Sequence, residues 1–233
     1  MFDHATIRVA DRDASVRFYR LALGDPLYEG EFVDWGELSL LAGADPTRRL
    51  HVAVGVADRP AVDAWWKRLV DAGYESDGEP GPRPEYNETY YGGFVLDPDG
   101  NSVEAVHHDR VRRGALDHLW LRTRDVVAQK GFYDAVAPVV GLRVAYDVPD
   151  RVRLTDGEGS FTFVAGERPT ERVHLAFKAP DRQTVDAFHA AAVAAGHPDN
   201  GAPGERAQYH PGYYGAYVLD PDGNNVEAVF HGR

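Results

Sequence analysis

Between residues 4 and 9 the chain alternates: Ala5, Ile7 and Val9 are apolar, whereas His4, Thr6 and Arg8 are polar. A period of two predicts a strand packed on one face. The spacing then lengthens to three and four at Val16, Phe18, Tyr19, Ala22 and Leu23, which predicts a helix capped by Asp11 or Asp13. Short strands are expected at about 27–32, 33–35 and 38–42, and a stronger one at 50–56. A second helix should run from about 60 to 72, with Pro60 in its first turn and Gly73 beyond its last. Two further strands, 91–96 and 102–107, flank the tight Asp97-Pro98-Asp99-Gly100 turn. The module reads as strand, helix, three strands, twice over.

The whole pattern then recurs. YYGGFVLDPDGNSVEAVHH at 90–108 and YYGAYVLDPDGNNVEAVFH at 213–231 agree at 15 of 19 positions, with a shift of 123. The same shift carries His51 to His174, Asp58-Arg59 to Asp181-Arg182 and Ala72-Gly73 to Ala195-Gly196. Near the start of each copy the shift is 114, taking Asp3-His4 to Asp117-His118 and Phe18-Tyr19 to Phe132-Tyr133. The second copy therefore has nine extra residues between its first helix and its fourth strand. Two domains are expected, 1–113 and 114–233, joined through the Arg-rich stretch 108–114.

Alternation also assigns faces, because successive strand side chains point opposite ways. His4 shares its face with Thr6 and Arg8, and His51 lies opposite the packed Leu50, Val52, Val54 and Val56. Glu104 lies opposite Val103 and Ala105. The second copy repeats each choice with His118, His174 and Glu227. Any one of these on a strand is ordinarily a hydrogen-bonded or solvated residue. Their joint retention, while Ile7 becomes Leu121 and Trp65 becomes Phe188, favours two sets of metal ligands. Two imidazoles and one carboxylate suit Fe(II), Mn(II), Ni(II) or Zn(II) and leave about three coordination positions open. Open positions let a substrate place two adjacent oxygens on one cation.

Composition narrows the chemistry further. The 233 residues include no cysteine, which excludes disulfides, Cys-held zinc, iron–sulfur clusters and a thiol nucleophile. With a net charge of -12 and no large basic cluster, nucleic acid is not an expected partner. The charged amino terminus does not resemble a signal peptide, and no stretch reaches the ~20 apolar residues of a membrane span. A cytoplasmic protein without a membrane partner is expected, as a monomer with an internal pseudo-dimer or as a homodimer.

The combination of His4, Phe18-Tyr19, His51 and the Asp97–Asn101 turn leading to Glu104, repeated as His118, Phe132-Tyr133, His174, Asp220–Asn224 and Glu227, resembles the vicinal oxygen chelate superfamily. That superfamily includes glyoxalases, bleomycin-resistance proteins and extradiol dioxygenases, and the resemblance covers essentially the whole chain. It implies an α+β fold of four βαβββ modules in two tandem glyoxalase-like domains, paired into cup-shaped mixed sheets around a metal. Modules pair in either of two ways. His4 joins either His51 and Glu104 or His174 and Glu227, with His118 in the complementary set; the fused repeat leans towards the second.

The resemblance also sorts activities. Glyoxalase I adds a carboxylate from the fourth strand, but that strand is Leu38-Ser39-Leu40-Leu41 here and Phe161-Thr162-Phe163-Val164 in the second copy, and Glu37 at its edge maps to Ser160. A typical glyoxalase I is disfavoured. The second copy fits extradiol dioxygenases better, through His210, Tyr217, Asp220-Pro221, Gly223 and Glu227; the first has Asn87 and Phe94 in place of His210 and Tyr217. His210 and Tyr217 are therefore the candidate catalytic residues, and Trp120, Arg8, Arg122 and Tyr213 the candidate substrate-binding ones. The expected partner is a small molecule. The expected function is metal-dependent lyase, isomerase or dioxygenase chemistry, and the alternative is bleomycin-resistance-like sequestration of a ligand without catalysis.

Overall fold

The computed structural model describes residues 1–110 and 116–232. The expected domain joint at 113/114 lies outside the described residues. The first copy folds as β1 (Phe2–Val9), α1 (Arg12–Leu23), β2 (Tyr28–Glu29), β3 (Phe32–Asp34), β4 (Leu38–Ala42), β5 (His51–Gly55), α2 (Arg59–Asp71), β6 (Ser76–Pro82), β7 (Tyr91–Leu96) and β8 (Ser102–His107). The second folds as β9 (Leu116–Thr123), α3 (Val126–Val136), a 3-10 turn (Ala137–Val140), β10 (Arg143–Val148), β11 (Arg151–Thr155), β12 (Ser160–Ala165), β13 (Val173–Lys178), α4 (Arg182–Ala194), β14 (Asp199–Glu205), β15 (Tyr214–Leu219) and β16 (Asn225–Phe230). The strands lie in two mixed sheets, ordered β14-β15-β16-β13-β1-β4-β3-β2 and β10-β11-β12-β9-β5-β8-β7-β6. This is the α+β architecture of paired βαβββ modules.

Each helix begins where the sequence places a cap. Asp11, Asp58, Asp125 and Asp181 are the N-caps, each side chain accepting from a backbone N–H in the first turn. The apolar stripes then turn inward: Phe18 and Tyr19 of α1, Val62, Trp65 and Leu69 of α2, Phe132 and Tyr133 of α3, and Val185 and Phe188 of α4 are all buried. Burying each such side chain contributes about 1.5–3 kcal/mol. Trp65 also donates to Ala22 O at 2.9 Å, whereas Trp66 is on the rim and reaches Ser76 Oγ at 3.1 Å. Much of the second copy's insertion lies in the 3-10 turn and in a longer hairpin, β10 and β11, where the first copy has only the short β2 and β3.

Two strands are absent from the hydrophobic pattern. β6 (SDGEPGP) and β14 (DNGAPGE) are sheet-edge strands, rich in Gly and Pro, and their pairing slips register at Gly78 and Gly81 and at Gly201 and Gly204. An edge strand with bulges needs neither alternation nor a full ladder, so it leaves little periodic signal.

The chain separates into two compact units, Met1–Thr6 with Arg122–Arg233, and Ile7–Leu121. In the Ile7–Leu121 unit β5 is central, parallel to β8 and antiparallel to β9. In the other unit β13 runs parallel to β16 and neighbours β1. No helix among the described residues is long and apolar enough to cross a membrane.

Candidate metal centres

Strand register brings the predicted ligands together in two groups of three: His51, Glu104 and His118 in one unit, His4, His174 and Glu227 in the other. Of the two groupings the sequence allows, the structure adopts the exchanged one. In the first group Ala53 sits at the middle, opposite Glu104 on β8 and opposite His118 on β9, and His51 is two residues away on the same face. The small Ala53 side chain leaves room for the three longer ones to converge. In the other unit Ala176 stands opposite Glu227, and His174 opposite Asn225.

The distances within each group would fit one coordination shell. His51 Nε2 is 3.0 Å from Glu104 Oε2 and 3.3 Å from His118 Nε2, which is 3.5 Å from that same oxygen. His4 Nε2 is 3.2 Å from His174 Nε2, and Glu227 Oε2 lies 3.1 Å from His174 Nε2 and 3.9 Å from His4 Nε2. Atoms so spaced lie on a circle of about 1.9 to 2.0 Å radius, so a point just off its plane stands ~2.0–2.2 Å from all three. That is the bond length of a divalent transition metal to nitrogen and oxygen.

Burial strengthens the fit. The faces read from the sequence as lying away from the core are themselves covered: Glu104 and Glu227 are fully buried and His118 nearly so. Ala53, Tyr90 and Val106 pack together on one of these faces, Ala176, Tyr213 and Val229 on the other. Among the described residues, Glu227 Oε2 is buried without a hydrogen-bond partner. A carboxylate oxygen in that position is costly unless a cation or donor meets it. A cation between it and the two imidazoles resolves that cost.

Each centre has a supporting layer outside the His/His/Glu pattern. Asp117 Oδ2 lies 2.8 Å from His118 Nδ1, and His108 Nε2 binds the same carboxylate at 3.1 and 3.2 Å. Asp3 joins His4 Nδ1 at 2.9 Å to His231 Nε2 at 2.8 Å, and His231 Nδ1 continues to His210 Nε2 at 2.9 Å. A carboxylate on Nδ1 fixes the tautomer and turns the Nε2 lone pair toward the centre. The remaining ligands face Ser102 Oγ, 3.1 Å from His51 Nδ1, and the Asn225 amide, 2.8 Å from His174 Nδ1. The signal was in the repeat: Asp3 and Asp117, and His108 and His231, recur at the same shifts as the ligands.

Electrostatics follow from these contacts. Without a cation, burial opposes charge on His118, but hydrogen bonds to Asp117 and Glu104 override it and raise the imidazole to about 9, so a metal bound at Nε2 would displace a proton. Burial alone would raise Glu104, yet His118 and His51 bring it down to about 2. Against burial, His108 and His118 likewise hold Asp117 well below the usual carboxylate range. The Tyr90 and Tyr213 phenols are pushed far up, by burial first and then by the neighbouring glutamate, so they stay protonated and donate.

The other candidates divide. Trp120 lies opposite His51 in register and lines a cavity of about 290 Å³ together with His51, Tyr86, Tyr90, Phe94 and His118. The guanidinium at that cavity belongs to Arg83, 5.5 Å over the Phe94 ring, and Arg8 does not line it. Arg8 and Arg122 are both exposed; their side chains lie over Gly43 and Gly166, and their backbone N–H groups bind Thr47 and Thr170 Oγ1. Tyr213 donates to Glu227 Oε1 at 2.8 Å, so its hydroxyl supports the candidate metal-holding carboxylate. Tyr217 places its ring 6.1 Å from His174, and burial and the neighbouring Glu227 push its phenol up. Glu37 accepts from Leu116 N at 3.1 Å, and no fourth His, Asp or Glu joins either group among the described residues.

Comparison with known proteins places this geometry in a family. The fold is similar to that of glyoxalase I from Zea mays, 20% identical, with a TM-score of 0.71 over 99% of this chain and 92% of that one. It is also similar to a presumed dioxygenase from Bacillus subtilis, 14% identical, with a TM-score of 0.69 over 100% of this chain and 85% of that one. At such identities the likeness concerns the fold alone. No curated protein matches the sequence. Residues 1–105 and 115–228 each match one family, and the chain belongs to it: the Glyoxalase/Bleomycin resistance protein/Dioxygenase superfamily.

Proposed function

We propose that the protein is a metal-dependent enzyme whose small substrate presents two adjacent oxygens to a divalent cation held by His51, Glu104 and His118, or by His4, His174 and Glu227. The observation that carries this reading is that one complete His/His/Glu set with a buried glutamate is assembled twice, each with its carboxylate-oriented histidine. A bound cation would polarise a carbonyl and stabilise negative charge developing on the chelating oxygens. The chain supplies the rest. Trp120, Phe94 and Tyr86 wall the cavity and exclude water from a flat substrate, and Arg83 offers a positive charge at its rim. Asp117 holds His118 in its ligating tautomer; Asp117→Ala is expected to weaken metal binding at that centre about 10- to 100-fold, measured by competition with a chromophoric chelator.

A second reading, ring-cleaving dioxygenase chemistry confined to the Glu227 centre, is favoured by one asymmetry. There the Tyr217 ring lies 6.1 Å from His174, and His210 is linked through His231 and Asp3 to His4. The other centre has Phe94 and Asn87 at the corresponding positions.

Titration of Co(II)-loaded protein with acetohydroxamate, a ligand with two adjacent oxygens, tests the main reading. The visible spectrum should shift saturably, and the shift should vanish in the double variant His51→Ala/His174→Ala; a spectrum that does not respond overturns it. Oxygen uptake by Fe(II)-loaded protein with catechol tests the second reading, with His210→Gln expected to slow uptake about 10²- to 10⁴-fold. Tight ligand binding by metal-free protein, unaltered by the double substitution, would instead support sequestration.

A further inference from the structure

Both glutamates are gripped in the same way by residues that ligate nothing. Tyr90 Oη donates to Glu104 Oε1 at 2.7 Å, and Tyr213 Oη to Glu227 Oε1 at 2.8 Å. On the neighbouring strand, a Cβ at Gly92 would lie 2.2 Å from Glu104 Oε1, and one at Gly215 would lie 2.4 Å from Glu227 Oε1. The carboxylate oxygen therefore occupies the volume a side chain would fill. Neither glycine has a positive φ, so backbone conformation does not require glycine there. The next residue makes the contrast: Gly93 faces the opposite side of the strand, and its counterpart in the second copy is Ala216. A methyl group is accepted where the strand packs on its helix and excluded where it would strike the glutamate.

We propose that Tyr90 with Gly92, and Tyr213 with Gly215, are positioning residues that pin Oε1 away from the imidazoles, so that each glutamate ligates through Oε2 alone. The inference rests on the metal-dependent reading above. A carboxylate free to turn can chelate through both oxygens and fill one of the positions a substrate needs. With Oε1 committed to a phenol in a side-chain-sized gap, Oε2 is the atom presented, 3.0 and 3.5 Å from the two imidazole nitrogens in one centre and 3.1 and 3.9 Å in the other.

The test uses the full chain loaded with Mn(II), whose exchangeable inner-sphere waters are counted by solvent proton relaxation, with affinity measured by equilibrium dialysis. The double variant Tyr90→Phe/Tyr213→Phe should still bind two Mn(II) and keep its far-UV spectrum. It should lose one of about three open-position waters per metal, lowering relaxivity by about one third. Loss of packing alone would not change the water count. Gly92→Ala/Gly215→Ala should weaken Mn(II) binding at least about 10-fold, because the methyl group displaces the carboxylate. Wild-type protein that binds two Mn(II), with Tyr→Phe waters unchanged, overturns the positioning role alone. Wild-type protein that binds no Mn(II), Co(II), Fe(II) or Zn(II) overturns the metal reading and this inference together.

Discussion

Replacing His51 or His174 with alanine is expected to reduce bound divalent metal from two equivalents per chain to one, and the double replacement to abolish it. Each centre has three ligand atoms, and no fourth His, Asp or Glu joins either group among the described residues. Removing one imidazole leaves a bidentate remnant in a buried pocket, where Glu104 or Glu227 still carries its desolvation cost. Affinity should fall by well over the ~10- to 100-fold typical of losing a supporting contact. Elemental analysis after dialysis measures it. Because each triad lies within one compact unit, His51→Ala should leave the His4, His174 and Glu227 centre filled. A single substitution that emptied both centres would contradict two separate triads.

The second large effect concerns stability. Asp97→Ala should cost about 3–5 kcal/mol, because four donors converge on that buried carboxylate and each loses its partner. Asp97 accepts from Tyr19 Oη at 3.0 Å, Asp99 N at 2.9 Å, Asn101 N at 2.8 Å and Asn101 Nδ2 at 3.0 Å. Asn101 in turn donates to Thr47 O and accepts from Leu50 N, tying the turn to the start of β5, where His51 stands. Thermal unfolding should fall by about 10 °C. The repeat supplies an internal control. Asp220 takes Gln129 as its helix partner, and the buried Tyr133 hydroxyl has no hydrogen-bond partner among the described residues. Tyr19→Phe should therefore cost about 1–2 kcal/mol, whereas Tyr133→Phe should be nearly neutral. Equal costs would show that the turn does not work through this network.

The His/His/Glu groups were legible in the sequence because three signals coincided: a duplicated pattern, strand alternation that fixes a face, and residue types that can hold metal. The caps and turns were legible for a similar reason, since an Asp at a helix start and an Asp-Pro-Asp-Gly turn act through local hydrogen bonds. What lay beyond reach depended on contacts between distant segments. Both module pairings satisfy the same alternation, and only the adjacency of β1 with β13, and of β9 with β5, distinguishes them. β6 and β14 carry no period because edge strands with bulges need none. The burial of Glu104 and Glu227 depends on Tyr90 and Tyr213 closing over them, and a tyrosine at a strand's start gives no sign of what its hydroxyl will meet. Arg83 gives no sequence signal because it follows β6, a strand the pattern does not reveal.

X-ray absorption at the metal edge of the loaded wild-type protein tests the central claim most directly. The account predicts two equivalents per chain, each with two imidazole nitrogens and a carboxylate oxygen at ~2.0–2.2 Å, and no protein-bound metal signal when His51→Ala and His174→Ala are combined. An all-oxygen shell, or a spectrum that the double substitution leaves unchanged, would contradict it.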